Sequence, residues 1–127
     1  MNVAKIHEQV KKLITLQACP GSGALLGVQD LDPDVRIAAI EDICFFSPRG
    51  LEGVVCTKIR CGNLSVLEYG NVLPAFVEKH WKRCAITTGN PFFVEIDRFP
   101  KGVFTPTSDT VYVTVAVTFS RLIPQEP

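Results

Sequence analysis

The stretch SDTVYVTVAVTFSR, Ser108–Arg121, decides the fold. Val111, Val113, Val115, Val117 and Phe119 alternate with Tyr112, Thr114, Ala116, Thr118 and Ser120. Strict alternation places every second side chain on one face of an extended chain, so this is a strand that buries its valine face in an antiparallel sheet. Such a strand needs neighbours. Phe92, Val94 and Ile96 alternate with Phe93, Glu95 and Asp97, between Gly89-Asn90-Pro91 and Pro100-Lys101-Gly102 turns. Val55, Thr57 and Ile59 alternate with Cys56, Lys58 and Arg60 across Val54–Arg60, and Gly62-Asn63 ends the run.

Val35–Phe46 (VRIAAIEDICFF) carries two periods. The Ile37, Ile40 spacing fits a helix, and the Ile43, Phe45 spacing fits a strand. The β-branched and aromatic content rising toward Phe46 favours a strand. With Ser47-Pro48-Arg49-Gly50 as the turn, it is expected to form a hairpin with Val54–Arg60. Asn2–Leu16 reads as an amphipathic helix, with Val3, Ile6, Val10, Leu13 and Ile14 on its stripe. Ser65-Val66-Leu67-Glu68 has the form of a capping box. Gly70 and Pro74 interrupt the helix it would start, Asn71 offers a second cap, and Leu73, Phe76, Val77, His80, Trp81 and Cys84 make another helical stripe. The expected fold class is therefore α+β: a two-layer sandwich, mainly antiparallel sheet, with two helices on one face. The expected core joins Val113, Val115 and Val117 to Phe76, Val10 and Ile14.

The chain has 127 residues, 46% hydrophobic and 20% charged. That suits one domain, 1–127, with a short C-terminal tail at 122–127, and excludes a disordered or fibrous chain. Thirteen basic residues balance thirteen acidic ones, which argues against a general nucleic-acid binder. No stretch has the ~18 apolar residues that span a bilayer, and Met1–Gln17 lacks the unbroken apolar centre of a signal peptide. The expectation is a protein made and folded in a cytoplasm, with no membrane partner.

The chemistry-bearing residues are sparse. Cys19, Cys44, Cys56, Cys61 and Cys84 include no C-x-x-C pair, and His7 and His80 have no ligand spacing to them. Cys56 and Cys61, five apart, would lie on opposite faces of a regular strand. No metal site or cofactor is expected. Buried or half-buried thiols are the main reading. An odd number also permits a cross-link between subunits, with Cys19, beside Pro20 and a Gly-rich link, as the candidate. Gly21-Ser22-Gly23 lacks the Lys-Ser/Thr of a phosphate loop and reads as a connector; Asp30, Asp32 and Asp34 lack the glycine and distal glutamate of a calcium loop and read as an acidic turn. Glu95 and Asp97 share a strand face but have no visible pKa-shifting surroundings, and His80 has no nucleophile or carboxylate fixed beside it, so no catalytic residue is assigned. Charge order says more. Five acids, Asp30, Asp32, Asp34, Glu41 and Asp42, lie within Asp30–Asp42, whereas Lys79, Lys82 and Arg83 cluster near the second helix. Opposed patches on a neutral chain suit contact between identical subunits, and these residues are the candidate interface.

The order of elements resembles the tail-terminator (tail-completion) proteins of tailed bacteriophages: the short N-terminal helix at Asn2–Leu16, the central strands from Val35 to Arg60, the helix around Leu73–Cys84 and the closing strand Ser108–Arg121. That resemblance implies a small α+β subunit of a hexameric ring at the head-proximal end of the tail. Its partners would be itself and other tail and neck proteins, its place the virion after assembly in the host cytoplasm, and its role structural, without a catalytic residue or cofactor. The alternative is a small ligand-binding domain or enzyme with a pocket between sheet and helices.

Overall fold

The valine alternation forms the inner face of the strand β8 (Val111–Pro124), and Val111, Val113, Val115 and Val117 are fully buried. The computed structural model describes residues 5–19, 23–31, 34–61, 64–67, 70–81, 83–98 and 110–124. β8 runs between two antiparallel neighbours, β1 (Lys5–Ala18) and β3 (Ile37–Phe46), and β6 (Cys84–Thr87) completes a four-stranded sheet in the order β1-β8-β3-β6. A second four-stranded sheet is built from β2 (Gly23–Leu26), β7 (Phe92–Arg98), β4 (Val54–Cys61) and β5 (Leu64–Leu67), in the order β2-β7-β4-β5. Every pairing is antiparallel. The two inner faces share one hydrophobic cluster, in which Val113, Val115, Ile40 and Ile43 of the first sheet join Phe92, Val94, Ile96 and Ile59 of the second. Sheet packs on sheet.

The antiparallel two-layer sandwich is as expected, but its second layer is a sheet, not helices. The described residues contain a single α-helix, α1 (Pro74–His80), and a 3₁₀ turn at Val28–Asp30. The expected helix at Asn2–Leu16 is the strand β1, paired with β8 without a break from Lys5↔Pro124 to Ala18↔Val111. The reason lies in the spacing. A separation of four residues fits one face of a helix and one face of a strand equally well. Val10, Ile14 and Ala18, each four apart, share the inner face in either conformation, and Leu16 joins them only in the strand. Leu13, on the stripe of the helical reading, points outward and is 73% exposed. β8 also continues through Leu122 and Ile123 to Pro124, so the expected tail from 122 starts inside a strand.

Two β-bulges account for the mixed periods. Between Ile40 and Asp42 the β3–β8 register shifts, with Glu41 as the extra residue. The inward set thus changes parity, from Ala38 and Ile40 to Ile43 and Phe45. The three-residue step from Ile40 to Ile43 is what resembles helical spacing. In β4 the shift falls between Cys56 and Lys58, and the inward residues are Val54, Cys56, Ile59 and Cys61, not the regular Val55, Thr57, Ile59 series. Nor do β3 and β4 form a hairpin: the chain from Ser47 to Gly53 carries it from one sheet to the other. The Ser65 capping box is overridden because Leu64–Leu67 pairs with β4 as β5. The second helical stripe contracts to α1, which has Leu73 at its N-cap and Pro74 in its first turn, and Cys84 belongs to β6. Phe76, expected in the core, is 54% exposed, and Val10 and Ile14 are only partly buried.

Replacing Val115 by Asp tests this core. Val115 is fully buried on the central strand, and an unpaired charge there costs several kcal/mol, on the order of the whole stability of a small domain. Circular dichroism and thermal melting are expected to show an unfolded chain. A cooperative folded transition would mean that the faces of β8 are reversed.

Candidate functional site

The one helix sits where the sheets are left open. β6 pairs only with Ile37–Ile40, so the edge of β3 beyond Ile40 lacks a strand partner. α1 packs there against β3 and β4, burying Pro74 and Val77. Glu78 Oε1 accepts the backbone N–H of Phe45 at 3.0 Å, supplying the acceptor that a further strand would have provided. The Cys44 thiol lies beside the same carboxylate. Partial desolvation first, then the charge and hydrogen bond of Glu78, hold its pKa above the ordinary thiol value.

Between α1, β4 and β5 lies an apolar cleft of about 90 Å³. Ile59, Val66, Leu67, Val72 and Val77 line it, and Phe76, His80 and Trp81 complete its wall. The His80 ring stacks on Phe76, with centroids 4.1 Å apart, and His80 Nδ1 lies 3.0 Å from the Phe76 carbonyl oxygen. The Trp81 ring meets Phe92 edge-on at 5.8 Å. Its indole N–H is buried with no acceptor among the described residues. One imidazole among apolar walls is not an acid–base pair, and the volume is below the ~300 Å³ at which small-molecule sites begin.

The residues singled out in the sequence are scattered. Asp30, Asp34, Lys79 and Arg83 are exposed. Asp30 Oδ2 accepts the Gly27 N–H at 2.8 Å and so braces its own turn. Arg83 Nη2 pairs with Glu41 Oε2 at 2.8 Å, so acidic and basic stretches meet at this pair. Asp32 and Lys82 lie outside the described residues. Cys19 is half-buried, just past β1.

The cysteines hold what sequence reading missed. Cys61 and Cys84 are disulfide-bonded, with Cα atoms 6.0 Å apart. The expectation of thiols at both positions is corrected. Cys61 is on β4 and Cys84 on β6, so the bond ties the two sheets together through side chains that are themselves buried. The Thr57 bulge makes this bond reachable: it turns both Cys56 and Cys61 inward, although their separation of five would otherwise place them on opposite faces. Cys56 stays a thiol. Its Sγ–H donates to the Lys58 carbonyl at 3.7 Å, and burial pushes its pKa up to about 12.

The outer face of the first sheet also exposes apolar side chains. Leu13 of β1 and Ile37 and Phe46 of β3 stand on it, each more than half exposed. Between them the β8 row carries Thr114, hydrogen-bonded to Thr15 at 3.0 Å, and Tyr112, whose ring centroid is 6.3 Å from that of Phe46. Among the described residues no three His, Cys, Asp or Glu side chains group as metal ligands, and no helix is long and apolar enough to cross a membrane. Comparison with protein-family models, curated proteins and solved structures gives no match.

Two outcomes are expected from the cysteines. Replacing Cys61 and Cys84 together by Ala removes a cross-link that closes a loop of 23 residues, which loop-closure entropy puts at roughly 3 kcal/mol; urea unfolding of oxidised protein and of the variant measures it. Cys56 gives a pH dependence. Its folded pKa of about 12 exceeds the ordinary 9.0, so the folded state holds the proton more tightly. Its stabilising contribution is complete below about pH 9 and is lost as pH rises from there toward 12. Urea midpoints measured between pH 7 and 10.5 are expected to fall less steeply in Cys56→Ala than in the wild type.

Proposed function

We propose that this chain is a non-catalytic structural subunit that works by self-association, as one member of a symmetric ring, hexameric in the tail-terminator pattern, in the tail or neck of a tailed phage. In that role it terminates the tail tube and offers a docking face to the head connector. The observation that carries the reading is the outer face of the first sheet, where Leu13, Ile37 and Phe46 are solvent-exposed on a two-sheet scaffold. Large apolar side chains presented outward on a rigid sheet face can serve as the anchors of a protein contact. Zero net charge gives the chain no electrostatic barrier to association. The buried inter-sheet disulfide fits a protein that finishes in an extracellular particle, where such bonds persist. The Arg83–Glu41 pair satisfies part of the candidate charge patch within the subunit, which leaves apolar contact as the main source of affinity and charge as the source of orientation.

The ligand-binding alternative has the α1–β5 cleft of about 90 Å³ and a shallow depression of about 270 Å³ on the outer face of the first sheet, by Gln9, Ile37, Glu41 and Thr118, and the absence of a pair of titratable side chains from either lining gives it less support. Size-exclusion chromatography with light scattering separates the two. A closed assembly of defined mass is expected at micromolar concentration, and replacing Leu13 and Phe46 together by Ser is expected to dissociate it while leaving the melting transition cooperative. A strict monomer at high micromolar concentration would overturn the proposal.

A further inference from the structure

We infer that β1 pairs, antiparallel and about a two-fold axis at Val10, with β1 of a second copy of this chain. The partner choice rests on the self-association reading; the contact itself lies outside a head-to-tail ring and joins a subunit of one ring to a subunit of another. β1 has 14 residues and is an edge strand. Among the described residues only β8 pairs with it, and the ladder to β8 runs without a bulge from Lys5 to Ala18. It contains no proline. Its other edge therefore presents a regular row of backbone donors and acceptors, a template for one more strand.

Two observations point to the occupant. The first is that the inner face of β1 is incompletely covered. Val10, Ile14 and Leu16 are only partly buried, and Lys12 is exposed between them although it faces the same way as its partner, the buried Val117. An inward-facing lysine on an edge strand deters a strand that brings no counter-charge, so a partner must place a carboxylate opposite it. The second is the register. Inner residues must lie opposite inner residues, so a two-fold axis has to pass through a residue and not between two. An axis at Lys11 or at Lys12 sets that lysine against its own copy. An axis at Leu13 sets Lys12 against Ile14 and leaves Glu8 facing Ala18. An axis at Val10 sets Val10 against Val10, Ile14 against Ile6, and each Lys12 against the Glu8 of the other copy. Glu8 is available for this. Arg121 engages its Oε2 through Nη2 at 3.0 Å and Nε at 3.1 Å, and the Glu8 side chain remains 43% exposed. The pairing would join two four-stranded sheets into one of eight and place two Glu–Lys pairs symmetrically about the axis.

Charge reversal by mixing tests the contact. Lys12→Glu puts two carboxylates at each contact, and Glu8→Lys puts two cations there. Each variant alone is expected to dissociate at least tenfold more readily than the wild type by sedimentation. In a Leu13→Ser, Phe46→Ser background, which breaks the ring contact, an equimolar mixture restores both opposite-charge pairs, so native mass spectrometry is expected to show heterodimers in preference to either homodimer. A second measurement does not depend on whether Glu8→Lys folds. In a Cys19→Ser, Cys44→Ser background, Val10→Cys sits on the axis and is expected to cross-link to its own copy under mild oxidation, whereas Thr15→Cys, opposite position 5, is not. Wild-type association of Lys12→Glu, failure of the mixture to recover, or equal cross-linking at positions 10 and 15 would each overturn the pairing. An assembly of ring mass unaffected by Lys12→Glu would overturn the pairing and leave the ring standing; a strict monomer would overturn both.

Discussion

The valine face of β8 pressed against the inner face of the second sheet is the contact on which the rest of the molecule depends. β8 is the central strand of its sheet, hydrogen-bonded on both sides, and four valines in a row are fully buried. A fully buried valine contributes ~1.5–3 kcal/mol relative to exposure, so this one face supplies a large share of the apolar burial. Both neighbours take their register from it. β1 is held along its whole length by β8, and β3 must place a bulge at Glu41 to keep Ile43 and Phe45 on the same side as Ala38 and Ile40.

The bulges connect this core to the cysteine chemistry. Without the extra residue at Thr57, Cys61 would face outward whenever Cys56 faced inward. With it, both enter the core, Cys61 reaches across to Cys84, and Cys56 is left as a thiol whose ionisation burial opposes. The disulfide lies between the two sheets, so it limits their separation in a way that backbone hydrogen bonds, confined within each sheet, cannot. α1 has the complementary role on the open side of β3, where Glu78 accepts the Phe45 N–H and Val77 closes the core.

What remains exposed is consistent with a subunit whose work is contact. The described side chains converge on no concavity with paired titratable groups. Large apolar side chains are exposed on the outer sheet face at Leu13, Ile37 and Phe46 and elsewhere at Leu25, Leu73 and Phe76, and a sheet offers partners a face for side-chain packing and an edge for backbone pairing. A ring contact through the face and a two-fold contact through the edge would use separate surfaces of one sheet, so one subunit could make both at once.

The sequence by itself determined the strands whose period is undisturbed. β8 and β7 are legible residue by residue, because alternation over seven or more positions has no helical equivalent, and the antiparallel class and the stretch of greatest burial follow from them. The exposed acids and bases at Asp30, Asp34, Lys79 and Arg83 were legible as surface residues for the same reason: charge is rarely buried without a partner. Only the tertiary structure decided the rest. Val10 and Ile14, four apart, satisfy a helix and a strand alike, and the free edge of β8 settles the matter by offering hydrogen bonds along the full length of β1. The steps Ile40–Ile43 and Cys56–Ile59 imitate a helical period because a bulge adds one residue to one strand, which is visible only against the partner strand. The Cys61–Cys84 bond could not be read at all, since it requires knowing that β4 and β6 belong to different, facing sheets. Local spacing fixes which way a side chain points along a regular element; which neighbour it meets depends on long-range pairing, and that is a property of the folded chain.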